Sequence, residues 1–393
     1  GMTEKIPRIR KILFYMALTI ELLLVIVDKS AVTNPYVSYF FRVTFLLTLA
    51  VVLLSQYTRR EWIVLLVLTA ISVVSYRLSG RNEMLRFTMF IAACREIDIP
   101  KALRYSFLVT LGGCLVIVLL SVTGILGSIS LTQDYGRSDG VITRYTFGFG
   151  HPNSLQCMFF MLMLLGMYLY AQRMKWYTYL ILLVANYGIY YLTDSRTGFI
   201  VATGAIILAA AMRADVFRRH VWPYAGGILM MGGCVGFSVW AAANSKDCWQ
   251  PDKLVDKVDH MLNGRIVQLY WGTKAQAGAI NTWHLFSSHA SEEYFDMGWV
   301  RLFYWYGWIP ALIAIAVLVL FLAACARKHD GAALMLVVSM SVYTVVEAHL
   351  VSEYIGRNFL LLLIGAYFAS MLHAEGGTKW GILQKGSVNE SAK

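Results

Sequence analysis

The sequence predicts an all-α, polytopic integral membrane protein, and its composition, its apolar runs and the charge of its loops support this prediction. Of its 393 residues, 58% are hydrophobic and only 15% are charged, and the mean hydropathy is +0.59. Soluble domains usually carry about 25% charged residues. A chain this apolar and this poor in charge is typical of a protein that crosses a bilayer.

Apolar runs of about 17–25 residues can cross the hydrocarbon core of a bilayer as helices. About twelve such runs divide residues 1–373, which we expect to form a single transmembrane domain. The run at 82–97 is the weakest, because Arg86 and Arg95 lie within it or at its edge. The runs lie near 11–27, 36–55, 61–76, 82–97, 103–124, 153–171, 175–192, 197–212, 222–242, 299–325, 331–350 and 354–373.

The charge of the short connections predicts how the chain is oriented. Lys and Arg concentrate in the leader "KIPRIRK" and in alternate connections, and the positive-inside rule assigns these segments to the cytoplasm. Both termini are then cytoplasmic, and residues 374–393 predict a disordered cytoplasmic tail. The net charge of +11 lies mostly beside anionic lipid, so we expect membrane lipid as a partner and no nucleic acid.

Two connections on the opposite, external side are long, at 125–152 and 243–298. Long connections inside a compact protein are usually functional. The second one mixes aromatic, apolar and ionisable residues, and the spacing in "VDKVDHMLNGRIVQLYWGTKAQAG" fits helices. We therefore expect a large, partly helical extracytoplasmic loop at 243–298.

Several arginines lie at the predicted external ends of the spans, where the positive-inside rule disfavours them. The planar fork of donors on arginine suits phosphate recognition. Each of them could instead extend to lipid head groups. Because several lie near one leaflet, an anionic ligand is the better interpretation. They are Arg137, Arg144, Arg196, Arg265, Arg301 and Arg357.

The stretch "GFGHPNSL" at 148–155 places polar chemistry at the start of an apolar helix. Pro152 suits the first helical turn, and Asn153 or Ser154 can cap exposed amides. The positive end of this helix would face an anionic head group, so His151 and Asn153 are candidate ligands for substrate. The alternative is that these two residues only cap and anchor the helix.

Four motifs in order, "TRYTFGFGHPNSL", "DSRTGFI", "LNGRIVQLYW" and "FDMGWVRLFYWYGWIPALI", resemble the O-antigen polymerase and ligase superfamily over residues 140–370. The resemblance implies a GT-C-like fold and a glycosyltransferase of the bacterial cytoplasmic membrane. It implies a polymerase of O-antigen, capsule or exopolysaccharide repeats. Such an enzyme transfers a glycan from undecaprenyl pyrophosphate onto the next lipid-linked repeat at the outer face of the membrane.

The resemblance also implies roles for individual residues. Arg196 and Arg265 match family motifs and would hold the leaving pyrophosphate, with Arg144 next to them. Arg301 and His284 would contribute to binding of the pyrophosphate or glycan. No cofactor is expected, and no metal, since the external loops contain no Asp-x-Asp pair and no His/Cys cluster.

Transfer to a hydroxyl acceptor needs a base to take its proton. The external loop offers His284 and His289 in "NTWHLFSSHASEEYFD", with Glu292, Glu293 and Asp296 beside them. The family ligases use a histidine in this late region of the loop, so His289 is the predicted base, and Glu292 would orient or replace it.

Two structural expectations concern the same outer region. Glu353 and Arg357 are one helical turn apart, so we expect an ion pair between them. Four tryptophans with neighbouring tyrosines are typical of an interfacial belt, namely Trp283, Trp299, Trp305 and Trp308.

Two other functions remain open. An O-antigen ligase would use a lipid A core as acceptor, and a flippase or transporter of lipid-linked oligosaccharides would catalyse no transfer. A transporter typically shows an internal repeat and charges at mid-membrane depth, and neither pattern is visible here. For the polymerase, the lipid-linked oligosaccharide is both donor and acceptor, and a flippase and a chain-length regulator are candidate protein partners.

Overall fold

A computed structural model describes residues 1–274 and 276–384, and the protein is mostly helical, with 67% of residues in helices. Two small antiparallel sheets accompany the helices, one pairing β2 with β3 and the other pairing β1 with β4. The helices are α1 Met2–Lys29, α2 Val37–Leu53, α3 Arg59–Ser79, α4 Glu83–Ala93, α5 Ile99–Val122, α6 Pro152–Leu169, α7 Trp176–Thr193, α8 Arg196–Ala211, α9 Asp215–Arg218, α10 Trp222–Asn244, α11 Leu254–Met261, α12 Gln268–Trp271, α13 Gly298–Tyr306, α14 Trp308–Arg327, α15 Gly331–Val346 and α16 Leu360–Met371. The strands are β1 Tyr57–Thr58, β2 Ser130–Asp134, β3 Val141–Tyr145 and β4 Lys379–Trp380.

Five segments of the described chain are helices long and apolar enough to cross a membrane. Four shorter helices, α2, α8, α15 and α16, are also apolar. This agrees with the predicted all-α membrane protein. The five segments are Arg59–Ser79, Ile99–Val122, Pro152–Leu169, Trp222–Asp247 and Trp308–Arg327.

Three of the predicted spans differ most from the structure. The runs at 82–97 and 354–373 form only the 11-residue helix α4 and the 12-residue helix α16, both shorter than the ~20 residues that a spanning helix needs. The run at 299–325 is broken into α13 and α14 at Gly307. Gly307 has a φ of 108°, and the amides of Trp308 and Ile309 turn away to donate to carbonyls of the loop at 243–298.

Several helix ends meet at one end of the bundle, which we call the site end. Here the amide of Gly150 donates to the carbonyl of Lys29, the last residue of α1, at 3.0 Å. The Tyr354 hydroxyl, in the segment before α16, donates to Asp28 Oδ1 at 3.0 Å. These bonds join the end of α1 to the segments that precede α6 and α16.

At the opposite end of the bundle, the C-terminal segment packs against the start of α3. Trp380 stacks on Trp62 with 5.2 Å between ring centroids, and Trp62 Nε1 donates to the Trp380 carbonyl at 2.9 Å. The tail predicted to be disordered is therefore ordered over residues 374–384, because aromatic stacking and a strand pair hold it. Residues 385–393 of that tail lie outside the described residues.

The loop at 243–298, which we call the external loop after its predicted side, is partly helical, and it packs closely on the bundle. The predicted helical stretch divides into α11 and α12, because Asn263 and Gly264 adopt positive φ angles of 56° and 79° between them. Trp283 stacks on Phe303 of α13 at 4.8 Å. The predicted tryptophan belt is wrong here, since Trp283, like Trp299 and Trp305 of α13, is buried in the protein interior.

The helix break at Gly307 makes a stability prediction. A Cβ on this residue would lie 2.5 Å from the Leu285 carbonyl oxygen, and its φ of 108° is strained for any other residue. Gly307→Ala should destabilise the protein by about 1–3 kcal/mol, seen as a lower thermal midpoint of the detergent-solubilised protein. Gly236→Ala is the control, because the space around it is open and alanine favours helix. Equal midpoints for both variants would contradict this account.

Candidate functional site

Arg144 of β3 joins the hairpin to the ends of three helices. Its Nε donates to the carbonyl of Thr193, the last residue of α7, at 2.6 Å. Its Nη2 donates to Asn153 Oδ1 at 3.0 Å and to Ser195 Oγ at 3.1 Å. Carbonyls at a helix C-terminus lack helical partners and carry partial negative charge. Arg144 therefore caps α7 and holds the starts of α6 and α8 beside it.

The protonation of Arg144 is shaped by its surroundings. Burial, together with the positive charge of nearby Arg137, lowers its pKa to about 10, so the guanidinium stays charged at neutral pH. Arg137 itself pairs with Asp194 at 2.8 Å. Arg144, which was predicted to bind substrate, therefore already donates hydrogen bonds to several protein groups.

Of the two roles that the sequence left open, helix cap and substrate ligand, the structure gives His151 the capping role. His151 is the N-cap of α6, and its Nδ1 accepts a hydrogen bond from the Asn153 amide at 3.0 Å. Burial and then the charge of Arg144 lower the pKa of His151, which keeps the imidazole neutral and able to accept. Asn153 does not cap the helix with its side chain, which serves Arg144 and Ser195 instead.

Arg265 is the second arginine that caps a helix. Its Nε donates to the carbonyl of Val346, the last residue of α15, at 2.9 Å, and its Nη1 donates to the Leu262 carbonyl at 3.0 Å. Its Nη2 forms an ion pair with Glu347 Oε1 at 3.1 Å. The motif "LNGR" therefore anchors the external loop to the end of α15 and buries Arg265 with a compensating carboxylate.

The arginine of "SRTG", Arg196, reaches the turn at Asn263 that precedes Arg265. Arg196 is exposed, and its Nη2 donates to Asn263 Oδ1 at 3.4 Å. The structure thus places Arg196 beside the turn that carries Arg265. Both arginines were predicted to hold the leaving pyrophosphate. Arg196 keeps most of its donors exposed.

Two further arginines at the site end are buried without a carboxylate partner. Among residues 1–274 and 276–384, no acidic oxygen lies within 4.0 Å of the Arg301 or Arg357 guanidinium, and the Nε of each has no hydrogen-bond partner. Arg301 lies between the rings of Tyr294 and Trp305, at 4.2 and 3.8 Å. The predicted ion pair between Glu353 and Arg357 is wrong, because the Glu353 carboxylate pairs with Arg81 instead.

Arg357 is buried in the interior beside a cysteine and a histidine. Its Nη2 is 3.5 Å from Cys157 Sγ, and the imidazole of His349 lies 4.0 Å from the same sulfur. His349 is fully buried, and its Nε2 has no partner among the described residues. Lys29, at the end of α1, is near enough to Arg357 and His349 to interact with them electrostatically.

Asp296 and Glu347 supply the negative charge of this region. Asp296 interacts electrostatically with Glu347, Arg265, Arg301 and His151. Burial and then the charge of Glu347 raise the pKa of Asp296, and the three cationic or titratable neighbours oppose that rise. A partly buried carboxylate is thus held among four charged or titratable groups from separate parts of the chain.

The predicted base lies elsewhere at the site end. His289 is exposed, and its ring covers Gly80 at the end of α3, where a Cβ would lie 2.7 Å from Nδ1. Glu292 is exposed as well, near Tyr304. His284 is exposed and contributes its carbonyl to the first amide of α14. None of these three side chains forms a hydrogen bond or ion pair with the arginines in the described part of the chain.

A scan against protein-family models, a search of curated proteins and a search of solved structures each found no match to this chain. The family resemblance of the four motifs therefore stays an expectation. The site is interpreted from its own geometry.

From the sequence, Asp296 was named only beside the candidate bases, and Lys29 and Glu347 were given no site role, yet the structure brings all three residues to this region. Lys29 carried a usable signal, since a lysine at a predicted external helix end departs from the positive-inside pattern. Asp296 and Glu347 carried none of comparable strength, because acidic residues contribute little to that pattern. Their importance follows from tertiary contacts alone.

The ion pair of Arg265 and Glu347 makes the second prediction. Arg265→Met and Glu347→Gln should each lower the thermal midpoint, and the double variant should lose less than the sum of the two. Residues in one buried network usually couple by about 0.5–3 kcal/mol. The control is the exposed pair Lys328–Glu375, changed in the same way, which should be nearly additive. Additive losses at the buried pair would show that the two side chains act independently.

Proposed function

We propose that the protein is a polysaccharide polymerase that transfers a glycan from undecaprenyl pyrophosphate onto a lipid-linked repeat unit. The observation that carries this proposal is the pair of buried arginines without carboxylate partners, Arg301 and Arg357, at the site end. A buried charge is costly unless it is paired. An anionic ligand would supply the missing partner.

A lipid diphosphate fits this need better than a single carboxylate would. Its negative charge is spread over two adjacent phosphates, and arginine forks match phosphate oxygens in pairs. Arg301, Arg357 and Lys29 come from three separate elements, so they can surround such a group. Arg196, exposed at the mouth, would meet the ligand as it enters.

The membrane arrangement belongs to the same proposal. With about twelve spans, including the shorter apolar helices, the site end faces outward and the opposite end faces the cytoplasm. At that opposite end, Arg60 and Arg327 donate to carbonyls near the end of α16, and the basic connections lie beside them. The positive-inside rule favours this orientation, in the bacterial cytoplasmic membrane with a GT-C-like fold.

The chemistry follows from the charge distribution. As the bond from the anomeric carbon to the diphosphate breaks, negative charge grows on the leaving oxygen. Fixed cationic donors in a site shielded from water stabilise such charge and need no reorganisation during the reaction. Arg301 and Arg357 would perform this stabilisation, while Arg144 and Arg265 hold the walls of the site.

The deciding experiment uses purified protein in lipid nanodiscs with a synthetic lipid-diphosphate-linked repeat. A ladder of lengthening lipid-linked chains supports the polymerase. A single transfer that requires a lipid A core acceptor would identify a ligase. Movement of the lipid across a vesicle bilayer without a new glycosidic bond would identify a flippase and would overturn the proposal.

The third prediction concerns the unpaired arginines. Removing one preorganised donor to developing charge typically costs about 10²–10³ in kcat, so Arg357→Gln and Arg301→Gln should each lower the rate of chain extension to that extent. Arg42→Gln is the matched control, since Arg42 is an exposed arginine at the start of α2, at the same end of the bundle. Near-normal rates in both test variants would refute the diphosphate role.

The fourth prediction concerns metals. Among residues 1–274 and 276–384, no three His, Cys, Asp or Glu side chains are grouped so that they could hold a metal ion. Chain extension should therefore continue in excess EDTA. A loss of activity that Mg²⁺ or Mn²⁺ restores would show that the diphosphate is neutralised by a metal as well as by arginine.

A further inference from the structure

Asp296, which precedes α13, is close enough to four charged or titratable groups at the site end to interact with them electrostatically. These are Glu347 after α15, Arg265 in the external loop, Arg301 in α13 and His151 at the start of α6. The four groups come from separate parts of the chain.

The backbone around Asp296 is fixed by close packing. Two residues later, Gly298 lies so near the end of α15 that a Cβ there would be 2.6 Å from Thr344 Cγ2 and 2.8 Å from Ala348 Cα. Just before it, Phe295 is buried and its ring lies 5.6 Å from that of Tyr304. Asp296 is thus held beside the end of α15 by its neighbours on both sides.

The carboxylate of Asp296 is not used by the fold. Among the described residues it accepts no hydrogen bond and forms no ion pair within 4.0 Å, and it is only half-buried. Glu347, by contrast, is paired with Arg265 at 3.1 Å. A carboxylate that is held in place, yet has no bonded partner, is suited to bind a proton or a hydroxyl group from a substrate.

We propose that Asp296 is the general base of the transfer reaction, a role that rests on the proposed function. Asp296 accepts the proton of the acceptor hydroxyl while that oxygen attacks the anomeric carbon. A new glycosidic C–O bond forms, and the bond from the anomeric carbon to the diphosphate breaks. Its electron pair leaves on the diphosphate oxygen, and the proton stays on Asp296 until it passes to water.

Its surroundings suit Asp296 to this step better than those of the residues selected from the sequence. A base is most effective when its pKa approaches the working pH, and burial and Glu347 raise the pKa of Asp296. His289 lies over Gly80 at the end of α3, and Glu292 is exposed. Asp296 instead interacts electrostatically with Arg301, which the proposed function assigns to the leaving diphosphate.

The fifth prediction tests this role with the full-length protein in nanodiscs and the synthetic lipid-linked repeat. General-base help is typically worth about 10²–10⁴-fold, so Asp296→Asn should lower kcat by that factor while its affinity for the lipid donor changes little. The wild-type rate should rise as pH rises through the pKa of Asp296, and this acidic limb should disappear in Asp296→Asn. Asp296→Glu should retain part of the rate, with the limb displaced.

Asp252→Asn is the matched control, because it makes the same change at an exposed aspartate of the same loop and should leave rate and pH profile unchanged. If Asp296→Asn keeps the wild-type rate and acidic limb, Asp296 is not the base. If it weakens donor affinity as much as it lowers kcat, its role is positional and the proposal fails. Should Asp296→Asn not fold, an unchanged limb in Asp296→Glu would overturn the proposal equally.

The two proposals fail in distinguishable ways. A wild-type protein that forms no glycosidic bond would overturn the polymerase and the base together. A wild-type protein that extends chains and depends on Arg357, but is indifferent to Asp296→Asn, would overturn the base alone. If the acidic limb vanishes in His289→Ala and persists in Asp296→Asn, the histidine is the base.

Discussion

The arrangement of the site end depends on how buried positive charge is compensated. An uncompensated guanidinium in the interior is costly, so each arginine needs a carboxylate, carbonyl oxygens or a ligand. Arg144 and Arg265 receive carbonyl and side-chain acceptors from the protein. Arg301 and Arg357 do not receive a carboxylate within the described chain. This difference separates the arginines that build the site from the two that the proposed function assigns to the ligand.

The building arginines share one physical device, the capping of a helix C-terminus. Arg144 binds the last carbonyl of α7, and Arg265 binds the last carbonyl of α15. Both carbonyls lack a helical partner and carry the negative end of the helix dipole. Each arginine therefore satisfies an orphan acceptor and fastens a loop segment to a helix with the same side chain. The hairpin and the external loop become rigid walls in this way.

Local sequence chemistry could predict much of this fold, and long-range contacts account for the rest. Apolar runs predicted α5, α6 and α10 closely, because bilayer thickness sets their length. The break at Gly307 could not be read from hydropathy, since it depends on the amides of Trp308 and Ile309, which donate to the carbonyls of His284 and Leu285. The weakness of the run that became the short helix α4 was visible in the sequence, because Arg86 and Arg95 lie within it or at its edge. In the site, the segments that carry "LNGR" and "SRTG" lie side by side, joined by the hydrogen bond from Arg196 to Asn263. The pairing of Arg265 with Glu347 could not be predicted, because the two residues are 82 positions apart. The charged surroundings of Asp296 could not be predicted either, because Glu347 is 51 positions away from it.

The unpaired cations also have a consequence for stability. Lys29, Arg301 and Arg357 come from α1, α13 and the turn before α16, and the charge of Arg357 repels the charges of both Lys29 and Arg301. A ligand that binds the folded state and not the unfolded chain stabilises the fold in proportion to its affinity. An anion bound among these three groups would offset their repulsion. It would also link three elements whose positive charges are not neutralised by a carboxylate. The repulsion between these cations thus lowers the stability of the fold at the position where the proposed substrate would restore it. A trade-off of this kind between stability and activity is common at functional sites.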